Sequence, residues 1–270
     1  MFVDYHMHTP LCGHAQGEME EYVEEAIRQG LKEIAFSDHL PFVHLPADHP
    51  WHGRYAMRME ELPGYCEAVL KLRHEYPEIK IKLGVEADYI PNKEKELEEL
   101  LSQHPFDFVL GSIHLIDDWP FDDPSLIDEY AHKDIDELWH RYFAIFISAV
   151  KSGLFDSMAH PDLIKKFGFF PRAGVQIHYE NAAEALAEAQ VCLEVNSAGL
   201  HKPVGEIYPA AAFLEDCLAR GVAVTIGSDA HRPWEVARDF AKVKELLQET
   251  GCKELALFTG RRKTLHPLTF

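Results

Sequence analysis

Short apolar segments of strand type alternate with amphipathic segments along the whole chain, and this alternation restricts the fold more than any other feature. Seven segments rich in β-branched and aromatic residues stand out, at 2–6, 33–37, 79–86, 106–111, 155–159, 191–196 and 222–227. Runs such as VAVTIG and FDFVLG are mainly apolar, as expected for parallel strands covered on both faces. Since no Gly-rich dinucleotide-binding fingerprint follows any of them, the pattern of seven βα units predicts a closed or nearly closed parallel α/β barrel.

The intervening segments have helical periodicity. An apolar stripe from Met19 to Ile27 is ended by Gly30, and a second stripe from Ile207 to Leu218 precedes Gly221. Further helices are predicted at 60–76, 92–103, 126–151, 175–189 and 233–249. The stretch 42–58, with three His and two Pro, is predicted to be a long loop, which is typical of a lid or a substrate wall. Because no repeat or linker occurs, residues 1–270 are expected to form one domain.

Composition narrows the range of partners. The formal net charge of −19 disfavours a nucleic acid, and the basic clusters at 165–166 and 261–263 are too short to form a binding groove for one. No apolar run is long enough to span a membrane. The five cysteines are widely spaced without a CxxC pair, and the segment MFVDYHMHT lacks the features of a secretory signal. A cytoplasmic protein with reduced thiols is therefore expected, with homo-oligomerisation left open.

Potential metal ligands lie where the predicted strands end. The segments YHMH, SDH, GVE, GSIH, AHPD and GSDAH end six of the seven strands, and only the strand that ends at Asn196 lacks such a residue. They supply His6, His8, His39, Glu86, His114, His160, Asp229 and His231. A lone histidine at a strand end is usually just hydrogen-bonded, but the carboxyl ends of barrel strands meet at one rim. The coincidence predicts a metal site there, and imidazole with carboxylate suits Zn, Mn or Fe.

In order along the chain, the motifs HMH, CGH, SDH, GVE, GSIH, AHPD and GSDAH resemble those of the polymerase-and-histidinol-phosphatase (PHP) superfamily. The resemblance covers essentially the whole chain and implies a single distorted TIM-like α/β barrel of seven βα units, with a trinuclear metal site at the C-terminal rim of the strands. It assigns the first ion to His6, His8, Glu86 and Asp229, the second to Glu86, His114 and His160, and the third to His14, His39 and His231. His14, which lies in the loop of the CGH motif, depends mainly on this resemblance.

Chain length, the loop after SDH and the NSAG segment resemble the histidinol-phosphate phosphatase branch of the family. This resemblance implies hydrolysis of a small phosphate monoester, L-histidinol phosphate, to L-histidinol and phosphate in histidine biosynthesis. Two to three divalent ions (Zn, Mn or Fe) are expected to supply a metal-activated hydroxide, with Glu86, Asp229 and His231 as the catalytic residues. Two alternatives stay open: a PHP-type phosphoesterase acting on nucleotides or nucleic-acid ends, and a metal-binding barrel without turnover.

Signals for substrate contacts are weaker, because each residue type is also common on surfaces or in cores. The predicted substrate-binding residues are Asn196, Ser197, Arg172, Lys165 and His201, with Lys166 as a further phosphate contact. The other candidates are Asp88 or Asp162 for an ammonium group, and Phe167, Phe169 and Phe170 for the wall around a ring. Asp38 is predicted either to accept a hydrogen bond from a ligand histidine or to cap a helix.

Overall fold

The structure, a computed structural model, describes residues 3–268, so Phe2 of the first predicted strand and both ends of the predicted domain lie outside the described residues. Within this range the strands are β1 Val3–Asp4, β2 Glu33–Phe36, β3 Lys80–Asp88, β4 Phe108–Ser112, β5 Leu115–Ile116, β6 Trp119–Pro120, β7 Ser157–Met158, β8 Cys192–Asn196, β9 Val224–Gly227, β10 Glu254–Thr259 and β11 Arg262–Pro267. The α-helices are α1 Met19–Arg28, α2 Leu62–Glu75, α3 Glu94–Ser102, α4 Ile135–Lys151, α5 Gln176–Ala189, α6 Ala211–Ala219 and α7 Phe240–Glu249. Short 3₁₀ helices occur at Pro10–Cys12, Pro124–His132, Leu163–Lys165, Ser197–His201 and Pro233–Glu235. No helix among these residues is both long and apolar enough to cross a membrane.

The main sheet has seven parallel strands in the order β1-β2-β3-β4-β7-β8-β9. Its two edges meet, because the N–H of Tyr5 donates to Ile226 O and the N–H of His8 donates to Ala230 O, both at 2.9 Å. The seven predicted strands are therefore confirmed as a nearly closed α/β barrel. Every residue of β2, β4, β8 and β9 is buried, as expected for strands covered by side chains inside and by helices outside.

Three predicted helices are shorter or divided in the structure. The segment 126–151 divides into a 3₁₀ helix and α4, because the Asp134 side chain accepts the N–H groups of Asp136 and Glu137 and starts a new helix. The segment 233–249 likewise divides into a 3₁₀ helix and α7. Helix α6 begins only at Ala211, since Tyr208 is extended and exchanges two backbone hydrogen bonds with Asn196.

The antiparallel hairpin β10–β11, which the periodicity did not predict, covers the amino-terminal end of the barrel. The Phe258 N–H donates to the hydroxyl of Tyr5 at 3.1 Å, and the Phe258 ring lies 4.7 Å from that of Phe108. At the hairpin turn, the Gly260 N–H donates to Asp107 Oδ1 at 3.0 Å, and Arg261 Nε donates to an oxygen of Asp156 at 3.0 Å. The hairpin thus plugs the end of the barrel opposite the strand carboxyl ends.

Truncation of this plug should destabilise the protein. Phe258→Ala should lower the free energy of unfolding by about 3–5 kcal/mol, because the side chain is only 2% exposed and its removal leaves a cavity between Tyr5 and Phe108. Urea unfolding followed by circular dichroism measures the change. The control in the same hairpin is Leu265→Ala, which removes a side chain that is 50% exposed and should shift stability by no more than about 0.5 kcal/mol. Equal losses in the two variants would contradict the plug.

Candidate metal centre

The carboxylate of Glu86, on β3, lies at the centre of the predicted ligands and is 1% exposed. Its Oε2 is 3.2 Å from His6 Nε2 and 3.1 Å from His39 Nδ1. Its Oε1 is 3.0 Å from His160 Nε2 and 3.7 Å from His114 Nε2. The two oxygens of one carboxylate thus face two different sets of histidines, which is the arrangement that a bridging ligand requires.

Asp229 and His231, from the loop after β9, complete the cluster on the other side. Asp229 Oδ1 is 3.1 Å from His8 Nε2 and 3.6 Å from His6 Nε2. The ring of His231 stacks on that of His8 at 4.1 Å and on that of His14 at 4.7 Å. The structure therefore brings together all nine predicted ligand residues, including His14.

The spacing of the donor atoms suits metal binding. Two ligand atoms at about 2.1 Å from one tetrahedral ion lie about 3.4 Å apart. Several donor sets fall within 4.8 Å, among them His6–His8–Asp229, His6–Glu86–His160 and His8–His39–His231. Two further sets contain the thiol of Cys12, which was not among the predicted ligands: one with His14 and His231, the other with His8 and Asp38.

The second ring nitrogen of most cluster histidines is held by an oxygen. The contacts of Nδ1 are His6 to Glu194 Oε1 at 2.8 Å, His8 to Asp38 Oδ1 at 3.3 Å, His114 to Asp88 Oδ1 at 2.9 Å, His231 to Asp229 O at 3.0 Å and His14 to Cys12 O at 3.1 Å. A proton on Nδ1 leaves Nε2 free as a metal donor, so these contacts fix the orientation of each ring. Asp38 thus lies where a ligand-orienting carboxylate was expected, and Asp88 holds His114 through Oδ1 while it also lines the cavity.

Two buried carboxylates in the site were missed from the sequence. Glu194 lies inside β8, the strand that ends without a ligand, and contacts His6. Asp4, on β1, accepts the N–H groups of Ser228 and Ala237 at 2.9 Å and so holds the loop that carries Asp229. The available signal was a charged residue within an apolar strand, as in the segments VDY and CLEVN.

The cluster lies at the floor of a cavity with walls of mixed character. The loop 42–58, which contains turns and one isolated bridge, contributes the rings of Phe42, Trp51 and Tyr55. This loop packs on the CGH loop so closely that a Cβ on Gly13, whose φ is +85°, would lie 2.1 Å from Gly53 O. The other walls carry charged or polar groups from Asp122, Lys166, His201, Arg232, Glu235 and Arg238.

Comparisons with known proteins agree with this arrangement. The PHP domain profile matches residues 4–198, and a relative from Deinococcus radiodurans, named probable histidinol-phosphatase, is 37% identical over 98% of each chain. This chain belongs to the PHP domain family. The histidinol-phosphatase of Bacillus subtilis is 28% identical, over 86% of this chain and 94% of that protein. The crystal structure of histidinol phosphate phosphatase from Lactococcus lactis, complexed with zinc, L-histidinol and phosphate, superposes with a TM-score of 0.81 at 26% identity and covers 97% of this chain and 98% of the other.

Of the five predicted substrate-binding residues, two line the cavity and three do not. Ser197 and His201 line the cavity. Asn196 lies beneath it, where its Nδ2 donates to Glu194 Oε2 at 2.9 Å. Neither Lys165 nor Arg172 reaches the cavity: the Lys165 side chain is fully buried between Asp162 at 3.0 Å and Glu206 at 3.1 Å, and Arg172 is exposed on the loop before α5.

Among the remaining candidates for substrate contacts, one lines the cavity and the others pack elsewhere. Lys166 lines the cavity and donates to Asp122 Oδ2 at 2.9 Å. Asp162 is fully buried with Lys165 and does not line the cavity. Phe169 stacks on Tyr130 at 4.5 Å, Phe170 is 46% exposed, and Phe167 packs against the core, so the aromatic wall comes from loop 42–58 instead.

Protonation differs sharply between neighbouring rings. Burial lowers the pKa of each ring, but for His8 the carboxylates of Asp229 and Asp38 outweigh burial and raise the pKa to about 9, and for His114 Asp88 raises it to about 10. The pKa of His6 likewise lies well above its usual value, because Glu194 and Glu86 flank the ring. Burial and neighbouring histidine charges hold the pKa of His39 and His231 well below the ordinary value. Metal binding must therefore displace protons from the first three rings.

These opposite shifts predict a stability maximum near pH 6.5 for the chain freed of metal by a chelator. An unfolded histidine has a pKa of about 6.5. Below that pH, stability decreases as the pH decreases, because unfolding lets His39 and His231 take up protons. Above it, stability falls as pH rises towards 9–10, because folded His8 and His114 hold protons that the unfolded chain releases. Each such proton changes the free energy of unfolding by about 1.4 kcal/mol per pH unit.

Thermal unfolding in chelator between pH 5 and about pH 9 tests this prediction, and zinc-saturated protein serves as the control. Zinc should raise the transition temperature most at high pH, where fewer protons compete with it for the ring nitrogens. A transition temperature of the metal-free chain that rises steadily with pH across this window would contradict the assigned shifts.

Proposed function

We propose that this chain is a histidinol-phosphatase that hydrolyses L-histidinol phosphate to L-histidinol and phosphate in histidine biosynthesis. The observation that carries the proposal is the Lactococcus lactis structure, which matches 97% of this chain and is complexed with zinc, L-histidinol and phosphate. Relatives named histidinol-phosphatase or probable histidinol-phosphatase match over most of their length as well. A small phosphate monoester also suits an acidic protein that has a local cluster of metal ligands.

The donor sets suggest how two to three divalent ions of zinc, manganese or iron would be held. The proposed sets are His6, His8, Glu86 and Asp229 for one ion, Glu86, His114 and His160 for a second, and His14, His39 and His231 for a third. Bound ions would supply positive charge to the phosphate and lower the pKa of a water that attacks it. Asp229 and His231 line the cavity from one loop, and Glu86 is buried below them. The three proposed catalytic residues therefore lie together at the cavity floor.

Residues 199–268 belong to the same proposed unit as the matched segment 4–198. They supply Asp229 and His231 to the cluster, β9 to the barrel and Arg238 to the cavity. We therefore propose a single phosphatase domain. The five buried, free cysteines fit the proposed cytoplasmic location, where thiols stay reduced.

One wall of the cavity is suited to bind the phosphate group. Asp239 Oδ2 lies 2.6 Å from His201 Nε2, so a proton on Nε2 leaves Nδ1 to accept a hydrogen bond from Arg238 Nη2 at 2.7 Å. This chain of contacts orients Arg238, which lines the cavity with Arg232, and Glu235 Oε1 lies between them at 3.6 Å and 3.4 Å. A planar guanidinium matches phosphate oxygens in geometry as well as in charge. The aromatic wall of Phe42, Trp51 and Tyr55 is suited to contact the imidazole ring.

The function is tested by phosphate release after reconstitution with zinc, manganese or iron. L-Histidinol phosphate should be the preferred substrate over p-nitrophenyl phosphate, nucleoside monophosphates and a 3′-ended oligonucleotide, because the cavity combines an anion-binding wall with an aromatic wall. A preference for nucleotides would support the alternative phosphoesterase, and release from none of these esters would support a barrel without turnover. Elemental analysis of the same samples is the control for loading, since at most one ion per chain would contradict a multinuclear site.

The phosphate-binding wall is tested by Arg238→Ala. Loss of a charge-assisted contact with phosphate should lower kcat/KM for L-histidinol phosphate by about tenfold to a hundredfold. The matched control is Arg172→Ala, because Arg172 is exposed outside the cavity and its loss should leave kcat/KM unchanged. Steady-state kinetics on both zinc-loaded variants measures the difference. A large effect of Arg172→Ala with none from Arg238→Ala would reverse the assignment.

A further inference from the structure

Glu194 is a wholly buried carboxylate inside the barrel, directly beneath the metal cluster. Three contacts surround it: His6 Nδ1 lies 2.8 Å from Oε1, while the backbone N–H of His160 at 2.8 Å and Asn196 Nδ2 at 2.9 Å donate to Oε2. Among the described residues no lysine or arginine forms an ion pair with it. A buried carboxylate costs several kcal/mol unless its partners compensate, so these contacts must provide the compensation.

The backbone of the neighbouring strand leaves room for this carboxylate. Gly227, at the end of β9, pairs with Asn196, and a Cβ there would be 2.0 Å from Glu194 Oε1 and 2.5 Å from the Cβ of His6. Any residue other than glycine would therefore push Glu194 and His6 apart. The absence of a side chain at position 227 shapes a slot in which the carboxylate and the imidazole meet.

The contact with His160 stabilises an unusual backbone conformation. His160 has a φ of +25°, in the left-handed region that residues other than glycine rarely adopt. Its N–H donates to Glu194 Oε2, and its Nε2 points to Glu86 Oε1 at 3.0 Å. Glu194 therefore contacts one ligand histidine through its ring and another through its backbone.

We propose that Glu194 is a positioning residue that orients His6 and His160 together, and so couples the two ion positions on either side of Glu86. His6 faces Oε2 of Glu86 and His160 faces Oε1, and the proposed donor sets assign the two histidines to different ion positions. Glu194 contacts both histidines and is not itself a member of either donor set. The inference rests on the proposed metal site, but not on the identity of the ester that is cleaved.

Only a carboxylate satisfies all of these partners. With the His6 proton on Nδ1, each contact of Glu194 is with a donor. The amide of glutamine has one accepting oxygen, so either of its orientations places an NH₂ group against a donor. Glu194→Gln therefore keeps the volume of the side chain but leaves either His6 or the backbone N–H of His160 without an accepting oxygen.

The test is the zinc affinity of purified full-length Glu194→Gln, measured by competition with a chromophoric chelator, with zinc counted by elemental analysis. At two of the zinc positions the affinity should fall by about 10- to 100-fold, as expected when the hydrogen-bond partner of a metal-binding histidine is lost. The matched control is Glu33→Gln, because Glu33 is also a buried carboxylate on a barrel strand but contacts Tyr5 and Lys82 away from the cluster. Its zinc affinity should equal that of the wild type.

Three outcomes would overturn the coupling. They are an unchanged zinc affinity in Glu194→Gln, a lower affinity at only one zinc position, and an equal loss of affinity in Glu33→Gln. Nitrogen-15 NMR of histidines in the zinc-loaded wild type keeps the test independent of whether the variant folds. The ring of His6 should carry its proton on Nδ1 and bind zinc through Nε2, and binding through Nδ1 would overturn the proposal. Phosphate release by the wild type decides the proposed function separately, since these readouts do not involve turnover.

Discussion

The Glu86 carboxylate among its histidines is the interaction on which the site depends. A carboxylate that is 1% exposed is stable only if surrounding positive charge or hydrogen bonds replace water. The flanking histidines provide this compensation and hold the pKa of Glu86 well below its ordinary value, although burial alone would raise it. Since these histidines come from strands far apart in sequence, the barrel must be assembled before the carboxylate is compensated. The fold and the metal site therefore depend on each other.

A second set of oxygens lies around this centre and determines how the rings point. Carboxylates on three different strands or strand ends, Asp38, Asp88 and Glu194, each contact Nδ1 of a cluster histidine. This arrangement gives the centre more negative charge than its ligands alone would, which favours cations and raises the cost of an empty site at high pH. The phosphate is expected to approach from the opposite side, where Arg232 and Arg238 line the cavity.

Much of the fold and the inner part of the site could be predicted from the sequence. Strand positions follow from apolar runs, and the proposed ligands, such as Glu86 and Asp229, were expected to lie together because a barrel brings strand ends to one rim. Contacts set by side-chain direction could not be predicted. Lys165 and Lys166 are adjacent in sequence, yet one is buried with Asp162 and the other lines the cavity. Glu194 could not be predicted in the same way, because it lies inside its strand, two residues before the strand ends at Asn196.

The packing of loop 42–58 on the CGH loop has a consequence for changing the substrate range of this enzyme. Gly53 lies against Gly13, and the Arg54 carbonyl is 3.1 Å from Nδ1 of His14, so the inner turn of the loop supports a residue of the metal cluster. The same loop presents Phe42 and Trp51 to the cavity. Libraries that vary Phe42 and Trp51 but retain the turn at 53–54 would change the shape of the binding pocket without disturbing the metal centre. Exchange of the whole loop between relatives would alter both at once.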